Sequence, residues 1–126
     1  MKYPHLVGTY TLGPENVRLF VTDAESGASF DCRPEDKGCG IISVGVKTRD
    51  WAYCVGSLLH EAMEHTMHRE GCGHYRTRDW TKATDVFLFV MSHITFDKCV
   101  AVVAPFMIDC MGDFNAVWKK ANRIKT

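Results

Sequence analysis

The sequence predicts a single α+β domain over residues 1–126, in which an antiparallel sheet of three or four strands is followed by a histidine-bearing helix and two or three C-terminal helices. Three observations lead to this fold class. The length of 126 residues is that of one ordinary domain. The first half contains short stretches in which apolar and polar residues alternate, as in strands with one buried face. The second half contains longer stretches in which apolar residues recur at helical spacing.

Three strands, with a candidate fourth, are predicted in the first half. Residues 17–22 alternate between apolar and polar side chains, and residues 28–32 return after the turn-forming stretch 23–27. These two segments therefore predict a β-hairpin. Residues 41–46 predict a third strand, and residues 7–12 supply the candidate fourth.

The histidine-bearing helix is predicted to run from Trp51 to Arg69. Asp50 is a favourable N-cap, because its side chain can accept a hydrogen bond from a free amide of the first turn. Gly71 and Gly73 are typical of a helix end.

The periodicity of this helix predicts which of its faces is buried. Successive helical residues rotate by about 100°, which gathers Leu58, Leu59 and Ala62 in one apolar stripe. We expect that stripe to face the core, and we expect Glu64 and His68 on the opposite side to be accessible.

Three further segments are predicted as helical. The apolar run 80–91 is long for a strand and is interpreted as a buried helix. Thr95 can cap a helix over residues 96–111, bent at Pro105. Asp113 can cap a short last helix.

Composition excludes several function classes. Lys plus Arg number 15 and Asp plus Glu number 15, so a strong non-specific attraction to nucleic acid or to an anionic membrane is not expected. The longest apolar run, Val86 to Met91, is far shorter than the roughly 20 residues of a membrane span. The start lacks the apolar segment of a secretory signal. The six Cys are therefore predicted to be reduced thiols of a cytoplasmic protein.

The stretch from His60 to His68 carries the candidate chemistry. His60 and Glu64 are four residues apart, which points two side chains the same way one helical turn apart. Imidazole and carboxylate groups are both acceptable Zn²⁺ ligands. We therefore predict a zinc site formed by His60, Glu64 and His68, with the adjacent Glu61 as general base.

Two other histidines remain alternatives for completing that site. Zincin peptidases use His-Glu-x-x-His on a helix, whereas here Glu64 stands four residues after His60. The next histidine, His65, is about 140° around the helix from His60. A π-bulge could realign the two. His74 follows His68 by six residues, with Gly71 between them.

A competing interpretation needs no metal. Glu and His side chains four residues apart also pair on any exposed helix face. On this interpretation the protein is a non-catalytic interaction protein that binds an as yet unknown protein partner, such as a host factor, and the His/Glu cluster is a solvated surface.

The order of elements around Ser57-Leu58-Leu59-His60-Glu61 resembles that of small zincin-like proteins of phages and prophages. The segments 87–93 and 116–120 are similar to parts of uncharacterised phage proteins that share a Leu-Leu-His-Glu helix, and the resemblance spans roughly residues 17–120. It implies a small phage-like accessory protein with a zincin-like helix. By this resemblance His60 would be the first zinc ligand and Glu61 the base of a metal-assisted hydrolase.

Overall fold

A computed structural model describes residues 1–31, 39–71, 73–75, 87–89 and 91–125, of which 39, 73–75 and 87–89 are described by their backbone alone. The main sheet contains four strands. They are β1 (His5–Leu12), β2 (Glu15–Thr22), β3 (Ala28–Asp31) and β4 (Cys39–Gly45), in the spatial order β1-β2-β4-β3. Two helices follow, α1 (Trp51–Arg69) and α2 (His93–Ala121). The predicted α+β class is confirmed.

The sheet is mixed rather than wholly antiparallel. β1 and β2 form an antiparallel hairpin closed by Gly13 and Pro14, and β3 pairs antiparallel with β4, but β2 pairs parallel with β4. The predicted hairpin of residues 17–22 with 28–32 is therefore wrong, because β4 lies between them. Burial explains the order: β2 and β4 carry most of the sheet's fully buried residues and occupy the centre, whereas β3 is half-buried and lies at an edge.

Helix α1 has the predicted bounds. The Asp50 side chain accepts a hydrogen bond from the Tyr53 amide at 3.1 Å, and Gly71, at φ +74°, ends the helix. Leu58 and Ala62 are fully buried as expected, and His68 is exposed. Leu59 is 42% exposed, against expectation.

The error at Leu59 has a geometric cause. The residues of α1 that face the sheet are spaced four apart, and Leu59 is turned about 100° away from that row. The fully buried row consists of Cys54, Leu58, Ala62 and Thr66.

A single helix replaces the two predicted after residue 92. α2 begins at His93, and its N-cap is Ser92 rather than Thr95. It continues through Pro105, which is exposed. The carbonyl of Ala101, which loses its helical partner to the proline, lies on the same exposed side and can be hydrated. The buried residues of α2 offset the cost of the proline; they are Cys99, Val103, Phe106, Cys110, Phe114, Trp118 and Ala121.

The predicted helix over residues 80–91 is wrong where the structure describes it. β5 (Gly73–Tyr75) pairs antiparallel with β6 (Phe87–Phe89). The aromatic and apolar character of the Phe87 segment suits a strand. Residues 76–86 lie outside the described part of the chain.

The helices cover one face of the main sheet. α2 contacts β1 and α1, and α1 contacts β3 and β4. Trp51 of α1 packs against Phe114 and Trp118 of α2, with ring centroids 5.1 Å apart in both pairs. Among the described residues, no helix has the length and apolar character needed to cross a membrane.

Candidate metal site on helix α1

Three side chains of α1 bring potential metal ligands together. His60, Glu61 and Glu64 each offer one ligand atom, and these atoms all lie within 4.8 Å of one another. His60 Nε2 is 2.9 Å from Glu64 Oε2. The spacing of three and four residues places these side chains on neighbouring positions of the helix surface. Two of the predicted ligands and the predicted base are thus adjacent.

The carboxyl groups of the cluster influence each other. Partial burial of Glu61 raises its pKa above the ordinary value, and the nearby Glu64 carboxylate raises it further, while His60 lowers it. Two carboxylates held this close repel each other when both are ionised, and a cation or a shared proton relieves that repulsion.

A cavity of about 340 Å³ opens beside the cluster. Phe30 of β3 forms one wall, and Glu61, Glu64, His65 and His68 of α1 form the rest. The cavity is large enough for several waters or a small organic group. The carboxylates of the cluster therefore face a space that a ligand can enter.

His65 is directed away from His60 and fixed by contacts with the sheet. Its Nε2 lies 2.6 Å from Oε2 of Glu15, and only 13% of the His65 side chain and 21% of the Glu15 side chain are exposed. Its ring stacks on Phe30 at a centroid distance of 3.6 Å and an angle of 15°. α1 is regular α-helix through this region, so no π-bulge brings His65 beside His60.

Among the described side chains, no further histidine joins the three converging ligand atoms. His68 is exposed and lines the cavity, but it is outside the group of three whose ligand atoms converge. His74 belongs to β5, and its side chain is outside the described part of the structure. His93 pairs with Asp97 on α2 at 3.4 Å, and both side chains are largely exposed.

Sequence reasoning missed Glu15 and Phe30. They lie 50 and 35 positions before His65 in the chain and reach it only because β2 and β3 belong to one sheet that packs on α1. Neither residue stands in a motif. A correct strand order would have been needed to find them.

Comparison with protein-family models, with curated proteins and with solved structures finds no match to this chain. The resemblance to zincin-like phage proteins therefore stays a prediction.

Proposed function

We propose that the protein binds a divalent cation, with Zn²⁺ as the preferred ion, through His60 and Glu64, and that Glu61 acts as the base of a metal-assisted hydrolysis. The convergence of three ligand atoms within 4.8 Å carries this proposal. An ordinary surface pair on a helix would bring together only two such groups.

The donor set and its spacing suit zinc. Ligands at about 2.0–2.2 Å from a tetrahedral Zn²⁺ are separated from one another by about 3.4 Å. The distance from His60 Nε2 to Glu64 Oε2 is 2.9 Å, which is shorter than that value. The 4.8 Å within which all three ligand atoms lie is longer than that value. His60 is 69% exposed at its side chain, so a small rotation can adjust the geometry.

Glu61 is suited to hold a proton next to such an ion. A bound Zn²⁺ supplies Lewis acidity and lowers the pKa of a coordinated water. Glu61 adjoins both ligands and lines the cavity, so its carboxylate can accept a proton from a water held there. His68 lines the same cavity, and the sequence prediction that it is a ligand is tested below.

Isothermal titration of untagged protein with ZnCl₂ tests the metal site. We expect one site per chain, with affinity lost in His60→Ala and strongly reduced in Glu64→Ala. His93→Ala is the matched control, because His93 forms the same kind of pair with Asp97 on α2 and should leave affinity unchanged. A loss of affinity in His68→Ala would add His68 to the ligands.

Glu61→Gln separates the two parts of the proposal. With fluorescein-labelled casein and p-nitrophenyl acetate as probes, we expect zinc binding to persist and hydrolysis to stop. Lost binding would make Glu61 a ligand rather than a base. A parent protein that binds no zinc would overturn the proposal as a whole and leave the His/Glu cluster as a solvated helix face.

A further inference from the structure

The cavity beside α1 has a wall of aromatic rings as well as its two carboxylates. The rings of Phe30 and His65 stack at a centroid distance of 3.6 Å, and both residues line the cavity of about 340 Å³. His68 adds a third ring to the lining. Among the described residues, the part of the cavity that Glu61 and Glu64 do not form is therefore lined by flat aromatic side chains.

The Phe30 ring is held in place before any ligand binds. One of its faces is covered by His65, whose Nε2 lies 2.6 Å from Oε2 of Glu15. The far end of the ring meets Gly40, where there is no room for a Cβ. Phe30 is half-buried, so part of the ring stays open to the cavity that it lines. A ring that is already fixed loses little freedom when a ligand packs against it.

The charges at the cluster favour an uncharged group in the cavity once the ion is bound. In the proposed function Glu64 is a ligand of Zn²⁺ and Glu61 is the base, so both carboxylates are engaged. Their two negative charges balance the two positive charges of the ion. The zinc-bound cluster then has no net charge with which to attract a cationic or an anionic side chain of a substrate.

An aromatic ring fits the cavity in size and in position. An apolar cavity of about 150 Å³ is sufficient for benzene, so a cavity of about 340 Å³ has room for one ring and for the group that joins it to the reacting bond. His65 follows Glu61 by four residues, which is about 6 Å along the helix. A ring joined to the scissile carbonyl by one methylene group can therefore reach the aromatic wall while the carbonyl stays near Glu61.

We propose that the substrates are acyl compounds with an uncharged aromatic ring next to the scissile carbonyl, and that Phe30 selects this ring. The inference rests on the proposed function above. The substrate ring packs on the open part of Phe30 in an offset or edge-to-face contact, as aromatic pairs prefer. In the reaction a water adds to the carbonyl carbon and gives its proton to Glu61. That proton passes to the leaving group as the bond between this group and the carbonyl carbon breaks.

Binding of two hydroxamic acids to the zinc-loaded protein tests the ring contact without catalysis. The oxygen atoms of both probes can bind Zn²⁺, and phenylacetohydroxamic acid differs from acetohydroxamic acid by its ring. By isothermal titration, we expect the ring to lower the dissociation constant about tenfold in the parent. Phe30→Leu should lose most of this gain. This variant keeps an apolar side chain against the core, and we expect it to keep the zinc affinity of the parent.

Phe96→Leu is the matched control, since Phe96 is 45% exposed on α2 and does not line this cavity. It should keep the gain from the ring in full. Hydrolysis of p-nitrophenyl esters by the parent supplies a second readout. After correction for the uncatalysed rates, kcat/KM should be about tenfold higher for the phenylacetate than for the acetate, mainly through a lower KM.

The outcomes separate this inference from the function on which it rests. A parent that binds zinc and acetohydroxamic acid but gains nothing from the ring would overturn the inference alone. Equally tight binding of 6-aminohexanohydroxamic acid would overturn it too, because the cavity would then accept a cationic group. So would a gain from the ring that survives in Phe30→Leu. A parent that binds no zinc would overturn the proposed function, and this inference with it.

Discussion

The imidazole of His65 ties α1 to the first residue of β2, with its Nε2 atom 2.6 Å from Oε2 of Glu15. The same ring stacks on Phe30 of β3. α1 is thereby fixed against two strands at the place where the cavity opens. The position of Glu61 and Glu64 relative to the cavity depends on this contact, although neither residue takes part in it.

Glu15→Ala should lower the free energy of unfolding by about 1–2 kcal/mol, because a largely buried hydrogen-bonding partner is removed from His65. Urea denaturation followed by circular dichroism measures the change. His93→Ala is the control, since its pair with Asp97 is solvated and such pairs contribute little. Equal stability of the two variants would show that the Glu15–His65 contact does not hold the helix.

The sequence was sufficient to predict α1 because its signals are local. The Asp50 cap, the apolar spacing and the glycine end all lie within the helix or one turn beyond it, and the convergence of His60, Glu61 and Glu64 follows from helical geometry alone.

The strand order and the walls of the cavity depend on contacts between distant segments. Nothing near residues 17–22 indicates that β4 pairs beside them in parallel. Likewise, Leu59 fits an apolar stripe, and only the position of α2 shows that it lies at a groove rather than in the core. Tertiary packing decides both features, so local patterns could not predict them.

Gly40→Ala should destabilise the fold by about 1–3 kcal/mol through overpacking. A Cβ at Gly40 would overlap the far end of the Phe30 ring, and that ring stacks on His65. Gly56→Ala is the matched control, for which the expected change in stability has the opposite sign. A Cβ there meets nothing within 4 Å, so the change to a better helix former should stabilise α1 by about 0.5–1 kcal/mol.

Urea denaturation of both glycine variants provides the comparison. If Gly40→Ala is as stable as the parent, Phe30 has room to move and the stack does not fix His65.

Zinc should raise the thermal unfolding midpoint if the site on α1 binds it. A ligand at one hundred times its dissociation constant stabilises the native state by about 2.7 kcal/mol. Differential scanning fluorimetry with and without ZnCl₂ measures the shift, which should vanish in His60→Ala and persist in His93→Ala. A shift of equal size in both variants would place the bound ion away from His60.

Three thiols should be masked in the native protein. Cys54, Cys99 and Cys110 are buried, and burial raises the pKa of Cys110 to about 12 and also raises that of Cys54. The thiolate is the form that attacks a disulfide reagent. Titration with Ellman's reagent should therefore find at least three more rapidly reacting thiols in urea than in the native state.

The total number of thiols that react in urea without a reductant tests the prediction that the six Cys are reduced. All six Cys should then react, and a count of four or fewer would reveal a disulfide.

Stability should fall at alkaline pH, and Tyr10 should be one cause. Its hydroxyl donates a hydrogen bond to Oδ2 of Asp113 at 2.7 Å. Burial is the largest cause that raises the Tyr10 pKa well above its ordinary value, and the Asp113 carboxylate is the next. In the unfolded chain Tyr10 ionises near pH 10, while in the folded protein it stays protonated. The stabilisation that the protonated Tyr10 gives the folded protein is therefore complete below pH 10 and is lost as the pH rises above that value.

Tyr10→Phe should lower the free energy of unfolding at pH 7 by about 0.5–1.5 kcal/mol through the lost hydrogen bond. It should also reduce the decline in the free energy of unfolding between pH 9 and pH 11, measured by urea denaturation. Part of the decline in the free energy of unfolding should remain, because the pKa values of Cys54 and Cys110 are also raised in the folded protein. These thiols therefore ionise at a lower pH in the unfolded chain than in the folded one. Tyr53→Phe is the matched control, since Tyr53 is 49% exposed, and it should keep the parent's decline. An unchanged slope in Tyr10→Phe would mean that the contact with Asp113 does not keep this hydroxyl protonated.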